Sequence, residues 1–491
     1  MNEFPISDFR FPIEEEGREG LSEIGNRQSA IGNALRFLLV IDNFHPLIGG
    51  AEQAALESAK ALAARGHRVD VLTMRKQPAW PREEQLGGIR VLRFDERIPP
   101  RPFGRLLYER ANARAARRYM DERLADAPYD VMLLHPIVAA FGAIRSRLAS
   151  RAKVIYCFHA PLAEEHWLAA EKGTGTFWAK PPADPSRDGY GAACARGEPL
   201  PDGRGSDVDG GKTYLSPFPL GLFARWAAYA SAAQTAHYRA KHQRAAIERA
   251  DAVTCPSEYS RGLLATVVPQ LGGKPIRVIP WGVDPARFYP APDRPGLRAK
   301  LGWGAGETVL FTARRLVPRM GLAELIRAFA LAVRERPSLR LAIAGDGPLR
   351  GTLEAEARRA GGRVDFLGLV PADELPSYFQ AADLFVLPSL TLEAFGLVTL
   401  EALACGTPVL ATRRCASPEI LAPLDERLLI PGCDAPAFAE AILRNGLQAA
   451  AEPGFREKCR AYVLDRYSWD RTAAAFEELA REIATTNVKR V

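Results

Sequence analysis

One stretch near residue 400 constrains the fold more than any other part of the chain. The apolar run Leu384–Leu387 predicts a buried strand, which Pro388 ends. An acidic loop follows, and apolar residues at helical spacing continue from Leu397. A tight turn then leads into a second predicted strand, Val409–Thr412. This order of strand, loop, helix, turn and strand predicts a βαβ unit within a parallel sheet.

The same alternation of strand and helix patterns recurs along most of the chain. The other predicted strands include Arg36–Ile41, Val69–Thr73, Val91–Phe94, Val131–Leu134 and Val154–Cys157 in the first half, and Thr308–Ala313, Arg340–Gly345 and Val364–Leu367 in the second. A chain of 491 residues is too long for one hydrophobic core. We therefore predict the α/β class, with two doubly wound, Rossmann-like domains that face each other across a cleft.

Changes in composition suggest where these domains begin and end. Residues 1–35 show no periodicity and are expected to be a disordered extension. The first Rossmann-like domain is expected at 36–272, with an insertion at 168–215 that is rich in Gly, Pro, Asp and Arg. The second domain is expected at 273–462. A C-terminal helix within 463–491 is expected to pack back toward the first domain.

Composition limits the class of ligand and the cellular compartment. The formal charge of +7 suits phosphate-bearing ligands, an anionic membrane surface or nucleic acid, and selects none of them. The 7 cysteines include no C-x-x-C pair, so neither a zinc site nor a disulfide framework is indicated. No apolar run approaches the ~20 residues of a membrane span. We expect a cytoplasmic protein without a nucleic-acid partner, with peripheral attachment to the inner face of the membrane as an open alternative.

A predicted helix at 103–125 is rich in arginine. Its cationic residues are Arg105, Arg110, Arg114, Arg117, Arg118 and Arg123. A basic amphipathic helix can lie on an anionic membrane surface or face an anionic acceptor. A solvated surface helix is the alternative interpretation.

Two glutamates eight positions apart mark the candidate ligand site. Glu393 lies in the acidic loop, and Glu401 lies within the helix that follows. Ligands of parallel sheets bind at the carboxyl ends of strands, where a helix N-terminus offers free amides to an anion. Eight helical positions span roughly 12 Å along the axis. That span suits an elongated ligand held at two places rather than two carboxylates that share one proton.

Other loops at the predicted sheet edges carry residues suited to ligand binding. They are Gly49, Gly50, His159, Arg315, Arg319, Gly345 and Gly347. Paired glycines let a ligand approach the backbone closely, although a plain turn explains them equally well. Arginines between a strand end and a helix are placed for bidentate phosphate contacts, with surface ion pairs as the alternative. A histidine just beyond a strand end lies at the ligand-binding rim.

The ordered motifs resemble the retaining glycosyltransferases of family 4, which have the GT-B fold. The pattern that carries the resemblance is E-x7-E, from Glu393 to Glu401, followed by Ala404–Val409. Supporting motifs are Gly49–Glu52, Val278–Asp284, Arg315–Pro318 and Gly345–Pro348. The resemblance covers most of residues 36–485 apart from the insertion. It implies an acceptor-binding first domain and a donor-binding second domain.

The resemblance implies a role for each residue of the acidic loop and its helix. Glu401 would bind the ribose hydroxyls of a nucleotide-sugar donor, with a UDP- or GDP-sugar as the expected class. Glu393 would hold hydroxyls of the transferred sugar. The amides of Phe395, Gly396 and Leu397 would hold phosphate or sugar.

The resemblance implies that residues in other loops complete the site. Arg315 would pair with the diphosphate, and His159 would contact the donor sugar near the reacting carbon. The residues expected to take part in catalysis are Glu393, His159 and Arg315. The other residues expected to bind the donor are Gly49, Gly50, Arg319, Gly345 and Gly347.

One position departs from the family pattern. The family usually has lysine where this chain has Met320, and methionine cannot neutralise a phosphate. Arg314 and Arg319 are candidates to supply the missing charge.

The expected activity is the transfer of a sugar from a nucleoside diphosphate to a hydroxyl of a saccharide or lipid-linked acceptor, in glycan or glycolipid synthesis. Arginine and helix amides can stabilise the departing diphosphate, so no metal or other cofactor is expected. The resemblance implies retention of configuration by front-face attack. The alternatives are a nucleotide-sugar epimerase of the same fold and a catalytically silent sugar-nucleotide-binding protein.

Overall fold

The structure, a computed structural model, describes residues 34–46, 49–99, 104–136, 138–165, 220–271 and 273–485. From Leu35 onward the chain forms one compact unit. The expected N-terminal extension, apart from residues 34 and 35, and the expected insertion at 168–215 lie outside the described residues.

The first sheet contains eight strands within the described residues. They are β1 (Arg36–Val40), β2 (Arg68–Arg75), β3 (Glu83–Leu86), β4 (Ile89–Asp95), β5 (Val131–Leu134), β6 (Lys153–Cys157), β7 (Ala252–Cys255) and β8 (Ile276–Val278). Their order is β3-β4-β2-β1-β5-β6-β7-β8, and only the β3–β4 pair is antiparallel. The sequence does not predict β3 because three of its four residues, EEQL, are polar and the strand is half-exposed at the sheet edge.

Helices cover both faces of this sheet. They are α1 (Gly50–Ala64), α2 (Gly104–Tyr119), α3 (Val138–Ala143), α4 (Leu220–Arg249) and α5 (Glu258–Val267), and α2 continues as a π-helix over Met120–Leu124. Strand β1 shows why both faces need cover. Phe37 and Leu39 pack in one hydrophobic cluster, Leu38 and Val40 pack in another, and all four are fully buried.

The second sheet contains six parallel strands. They are β9 (Thr308–Ala313), β10 (Leu339–Ala344), β11 (Arg363–Gly368), β12 (Leu384–Leu387), β13 (Val409–Thr412) and β14 (Leu429–Ile430), in the order β11-β10-β9-β12-β13-β14. Its helices are α6 (Arg294–Lys300), α7 (Leu322–Glu335), α8 (Arg350–Ala360), α9 (Leu375–Ala381), α10 (Leu397–Ala404), α11 (Ser417–Leu421), α12 (Ala435–Glu440), α13 (Leu447–Ala451) and α14 (Phe455–Arg466). The prediction of two parallel α/β domains is confirmed.

The chain crosses between the domains at two places that lie side by side. Val283, in the first crossing, forms a parallel β-bridge with Ser468, in the second. A Cβ on Gly282 would lie 2.3 Å from the backbone nitrogen of Trp469, so only glycine allows this approach. The last described helix, α15 (Trp469–Thr485), packs on α1, and its Phe476 joins the hydrophobic cluster of β1.

The boundary expected at residues 272 and 273 is too early. Strand β8 pairs with β7, so the first sheet extends to Val278 and the crossing follows it. No helix among the described residues is long and apolar enough to cross a membrane.

Candidate functional site

The acidic loop between β12 and α10 has a backbone conformation that few residues adopt. Gly396 has a φ of 85°, in the left-handed region that favours glycine, and it directly precedes α10. Leu392 has a φ of 55°, which is uncommon for a residue with a side chain. Glu393 lies in this loop and Glu401 lies in α10, as the sequence predicts. The amide of Thr399, in the first turn of α10, donates to the carbonyl of Gly396 at 2.8 Å. The two amides before it, those of Leu397 and Val398, precede the first full helical turn and can bind an anion.

The carboxylate of Glu393 is held by a buried guanidinium group. Arg314, whose side chain is 6% exposed, forms an ion pair with Glu393. The hydroxyl of Ser389 also donates to Glu393, with 3.0 Å between the oxygens. Burial lowers the pKa of Arg314 to about 9, so its charge persists at neutral pH. The ion pair with Arg314 and the hydrogen bond from Ser389 hold the carboxylate of Glu393 within the acidic loop.

Met320 lies against the same guanidinium group. Its sulfur is 2.8 Å from Nη2 of Arg314, and its side chain is buried in the core of the second domain. Arg314 therefore places positive charge beside the position where the family usually has lysine.

Arg315 and Arg319 lie in the loop that follows β9. Arg315 is exposed and Arg319 is half-buried. Nη1 of Arg319 donates to the carbonyl of Leu392 at 3.0 Å, and the amide of Leu390 donates to the carbonyl of Arg319 at 2.9 Å. Arg319 therefore holds the acidic loop in place, while the side chain of Arg315 is exposed; donor binding by Arg315 stays a prediction.

Close backbone packing accounts for Gly345 and Gly347. A Cβ on Gly345 would lie 1.9 Å from the carbonyl oxygen of Arg314, and one on Gly347 would lie 2.6 Å from that of Leu316. These glycines let the loop after β10 pack against the loop that carries the arginines. Their observed contacts are with protein backbone, and donor binding by them stays a prediction.

Glu401 has surroundings different from those of Glu393. It lies four residues after the start of α10 and is half-buried. Burial within the site raises the pKa of Glu401 to about 7, although the nearby Arg287 opposes this shift. Glu401 is therefore a carboxyl group that changes charge near neutral pH.

A row of aromatic rings connects His159 to the acidic loop. The ring centroid of His159 is 5.3 Å from that of Trp281, which is 5.5 Å from that of Phe395. His135, at the end of β5, lies 5.5 Å from His159 on the other side. Burial lowers the pKa of His159 to about 4, so its imidazole is neutral at physiological pH.

Gly49 and Gly50 lie where α1 begins. A Cβ on Gly49 would clash with the Glu52 carboxylate, whereas one on Gly50 would meet open space. Ala54, one turn further along α1, packs in the hydrophobic cluster that contains Phe395. Gly49 and Gly50 therefore lie at the N-terminal end of α1, one turn before a residue of α1 that contacts the second domain.

The structure brings the predicted residues together in three groups. The first group lies in adjoining loops of the second domain and consists of Glu393, Arg315, Arg319, Gly345 and Gly347. In the second group, the ring of Trp281 lies between those of His159 and Phe395. Glu401 forms the third group by itself, further along α10. Sequence reasoning missed the contacts of Ser257, Tyr259 and Ser260 with the acidic loop. The only signal for them was a serine at a strand–helix turn, which indicates a helix cap rather than a site.

Two facing α/β domains, with an arginine loop and an acidic loop where they meet, define the architecture of a GT-B glycosyltransferase. The family model described as "Glycosyl transferases group 1" matches residues 293–476, and that described as "Glycosyl transferase 4-like domain" matches residues 49–196. The chain belongs to family 4 of the glycosyltransferases.

The names of two curated relatives describe enzymes that transfer sugars. The chain is 36% identical over 241 residues to a GDP-mannose-dependent alpha-(1-6)-phosphatidylinositol monomannoside mannosyltransferase of Mycolicibacterium smegmatis, covering 47% of this chain and 62% of that one. It is 35% identical over 218 residues to a D-inositol 3-phosphate glycosyltransferase of Saccharomonospora viridis, covering 42% and 50%. The chain thus spans between half and two thirds of the length of these relatives.

Solved structures share the fold over almost the whole chain. A sucrose-phosphate synthase from Thermosynechococcus elongatus aligns with a TM-score of 0.63 and 22% identity, covering 91% of this chain and 99% of that one. Anabaena HepE, solved with UDP and glucose, aligns with a TM-score of 0.60 and 19% identity, covering 91% and 100%. At these identities the likeness establishes the fold.

Proposed function

We propose that this protein is a retaining, metal-independent hexosyltransferase that moves a sugar from a nucleoside diphosphate to a hydroxyl of a glycolipid acceptor. The observation that carries the proposal is the pairing of Glu393 with Arg314 in a loop that opens directly into the N-terminus of α10. That loop combines an acceptor for sugar hydroxyls with backbone amides for phosphate.

The diphosphate end of the donor requires positive charge. Arg315 is exposed beside the acidic loop, and the first amides of α10 add their partial charges. In this proposal Arg315 and these amides stabilise the leaving diphosphate, so no metal ion is needed. Arg314 adds a fixed charge beside Met320, which takes the place of the usual lysine.

The two glutamates hold opposite ends of the donor. Glu393 accepts hydrogen bonds from hydroxyls of the transferred sugar, because the ion pair with Arg314 orients its carboxylate. Glu401 accepts hydrogen bonds from the ribose. The imidazole of His159 contacts the sugar near the reacting carbon. Because it is neutral, it forms hydrogen bonds there without placing a positive charge beside that carbon. The departing phosphate takes the acceptor proton on the front face, which retains the anomeric configuration.

The donor and acceptor classes are proposed from the relatives. Their names specify GDP-mannose and phosphatidylinositol monomannoside in one case and inositol 3-phosphate in the other. We propose a GDP- or UDP-hexose as the donor and a lipid-linked polyol or saccharide as the acceptor. The arginines exposed on α2, such as Arg114 and Arg118, support peripheral attachment to the inner, anionic face of the membrane.

The test is a transfer assay with purified protein, GDP-mannose or UDP-glucose, and phosphatidylinositol-type lipids in the presence of EDTA. We expect an α-linked hexosyl lipid, as seen by NMR, at the same rate with and without EDTA. An epimerised donor in the absence of acceptor, or nucleotide binding without turnover on any acceptor, would refute the proposal.

A further inference from the structure

The first turn of α5, in the first domain, contacts the acidic loop of the second domain. The hydroxyls of Ser257 and Ser260 both donate to the carbonyl of Ala394, at 2.6 and 3.1 Å. Ala394 directly follows Glu393 in the chain. Two hydroxyl groups of one domain therefore bind the peptide beside the glutamate that holds the sugar in the proposed function.

A second contact from the same helix lies on the other side of Glu393. The hydroxyl of Tyr259 accepts a hydrogen bond from the amide of Leu392 at 3.3 Å and also hydrogen-bonds the side chain of Cys415. Leu392 and Cys415 both have left-handed backbones, with φ of 55° and 57°. Non-glycine residues keep such conformations only where surrounding contacts impose them.

A carboxylate of the second domain completes the contact. Glu419, on α11, accepts hydrogen bonds from the amides of Glu258 and Tyr259, at 2.8 and 2.7 Å. These amides belong to the first turn of α5, where the helix dipole favours a negative charge. Glu419 therefore binds α5 in the position that places its serines and tyrosine against the acidic loop.

We infer that the N-terminus of α5 is a positioning element for Glu393, which it holds in its sugar-binding conformation only while Glu419 keeps the two domains together. Ser257, Ser260, Tyr259 and Glu419 act through the backbone on both sides of Glu393 and do not touch the donor themselves. This inference rests on the proposed function of Glu393. It makes the grip on the transferred sugar depend on closure of the cleft.

The inference predicts a loss that is specific to the sugar. Removing Ser257 and Ser260 together (Ser257→Ala, Ser260→Ala), or removing Glu419 (Glu419→Ala), should lower kcat for transfer about tenfold. The affinity for the nucleoside diphosphate without sugar should change less than about twofold, because its proposed side-chain ligands, Arg315 and Glu401, lie outside the contact. Glu419→Gln keeps an acceptor oxygen and should recover much of the activity.

Hydrogen exchange gives a measurement that needs no turnover. The amide of Leu392 should exchange about tenfold faster in Glu419→Ala and Tyr259→Phe than in the unaltered protein. The control is Glu335→Ala, which removes a half-exposed glutamate paired with Arg444 within the second domain. It should leave both exchange and kcat unchanged.

The outcomes separate this inference from the proposed function. Unchanged exchange at Leu392, or an active protein in which the variants keep full kcat, would overturn the inference. Faster exchange in a protein that transfers no sugar to any acceptor would refute the proposed function instead, and with it the role given to α5. Equal losses of kcat and nucleoside diphosphate affinity, with no rescue by Glu419→Gln, would show general damage and also overturn the inference.

Discussion

Arg314 combines three contacts that no single motif predicts. It pairs with Glu393, donates a hydrogen bond to the hydroxyl of Ser389 and lies 2.8 Å from the sulfur of Met320. The sequence shows a departure from the family pattern at Met320 and offers Arg314 and Arg319 as replacements. The structure gives the two arginines different surroundings, because Arg314 contacts Met320 and Glu393 whereas Arg319 binds the carbonyl of Leu392.

Restoring lysine at position 320 should therefore harm the protein. In Met320→Lys the ammonium group would lie beside the buried guanidinium of Arg314, and we expect the free energy of unfolding to fall by about 2 kcal/mol. Urea denaturation measures this change. Met320→Leu, which conserves volume, is the control and should cost less than about 1.5 kcal/mol. Full stability of Met320→Lys would show that Arg314 does not restrict this position.

Donor binding should depend on pH through Glu401. Its pKa is raised to about 7, so the carboxyl group loses its charge as pH falls through neutrality. An ionised carboxylate accepts hydroxyl hydrogen bonds more strongly than a protonated one, so affinity for the nucleotide sugar should fall about tenfold between pH 8 and pH 6.

Calorimetric titration at several pH values measures this dependence. Glu401→Gln should bind the donor weakly and with the same affinity at pH 6 and pH 8. The idea fails if the unaltered protein shows no pH dependence, or if the variant retains it.

At the scale of elements, sequence patterns predict what depends on local periodicity. The strands β9, β12 and β13 and the start of α10 at Leu397 follow from apolar runs and from Gly396. Strand β3 does not follow from such a pattern. It is a strand because it pairs with β4, and its residues are not an apolar run. The contacts of α5 with the acidic loop were also beyond prediction, since Ser257 and Ala394 are 137 positions apart in the chain.

The arginine-rich helix α2 has one buried side and one exposed side. Ala113, Ala116 and Met120 pack in the core, and Glu109 forms a buried ion pair with Arg239 of α4. The described part of the helix therefore uses its apolar side within the protein. Binding to an anionic membrane would depend on its exposed arginines, which is an electrostatic mechanism.

Charge removal on α2 tests membrane attachment. Arg114→Gln with Arg118→Gln should weaken binding to phosphatidylglycerol vesicles by about 1 kcal/mol per arginine. Vesicle sedimentation at low and high salt measures this, and binding should fade with salt. Arg358→Gln with Arg359→Gln, which removes two exposed arginines of α8, is the control and should have no effect. If the two double variants weaken vesicle binding equally, α2 has no specific role in membrane attachment.

At the scale of the whole molecule, the two domains are joined by paired crossings and by α15. The β-bridge between Val283 and Ser468 brings the crossings together, and α15 packs on α1 through contacts that include the ion pair of Arg65 with Glu477. Helix α15, which follows the second crossing, thus packs against the first domain. This arrangement limits domain movement to changes that keep the crossings paired.

Gly282 is the most sensitive position in this junction. In Gly282→Ala the new Cβ would lie 2.3 Å from the backbone nitrogen of Trp469, so the crossings would have to separate. We expect a loss of about 1–3 kcal/mol in the free energy of unfolding. Gly351→Ala, on α8, meets no neighbouring atom within 4 Å and should stabilise the protein slightly. A neutral effect of Gly282→Ala in thermal denaturation would contradict the tight pairing of the crossings.

The central claim is that Glu393, paired with Arg314, holds the transferred sugar of a nucleotide-sugar donor. The most direct measurement compares hexosyl transfer and nucleoside diphosphate binding in the unaltered protein and in Glu393→Gln. We predict that transfer by the variant falls by about 100-fold or more, while affinity for the nucleoside diphosphate changes less than about threefold. Transfer that survives in Glu393→Gln, or a nucleoside diphosphate affinity that falls as much as transfer does, would contradict the account.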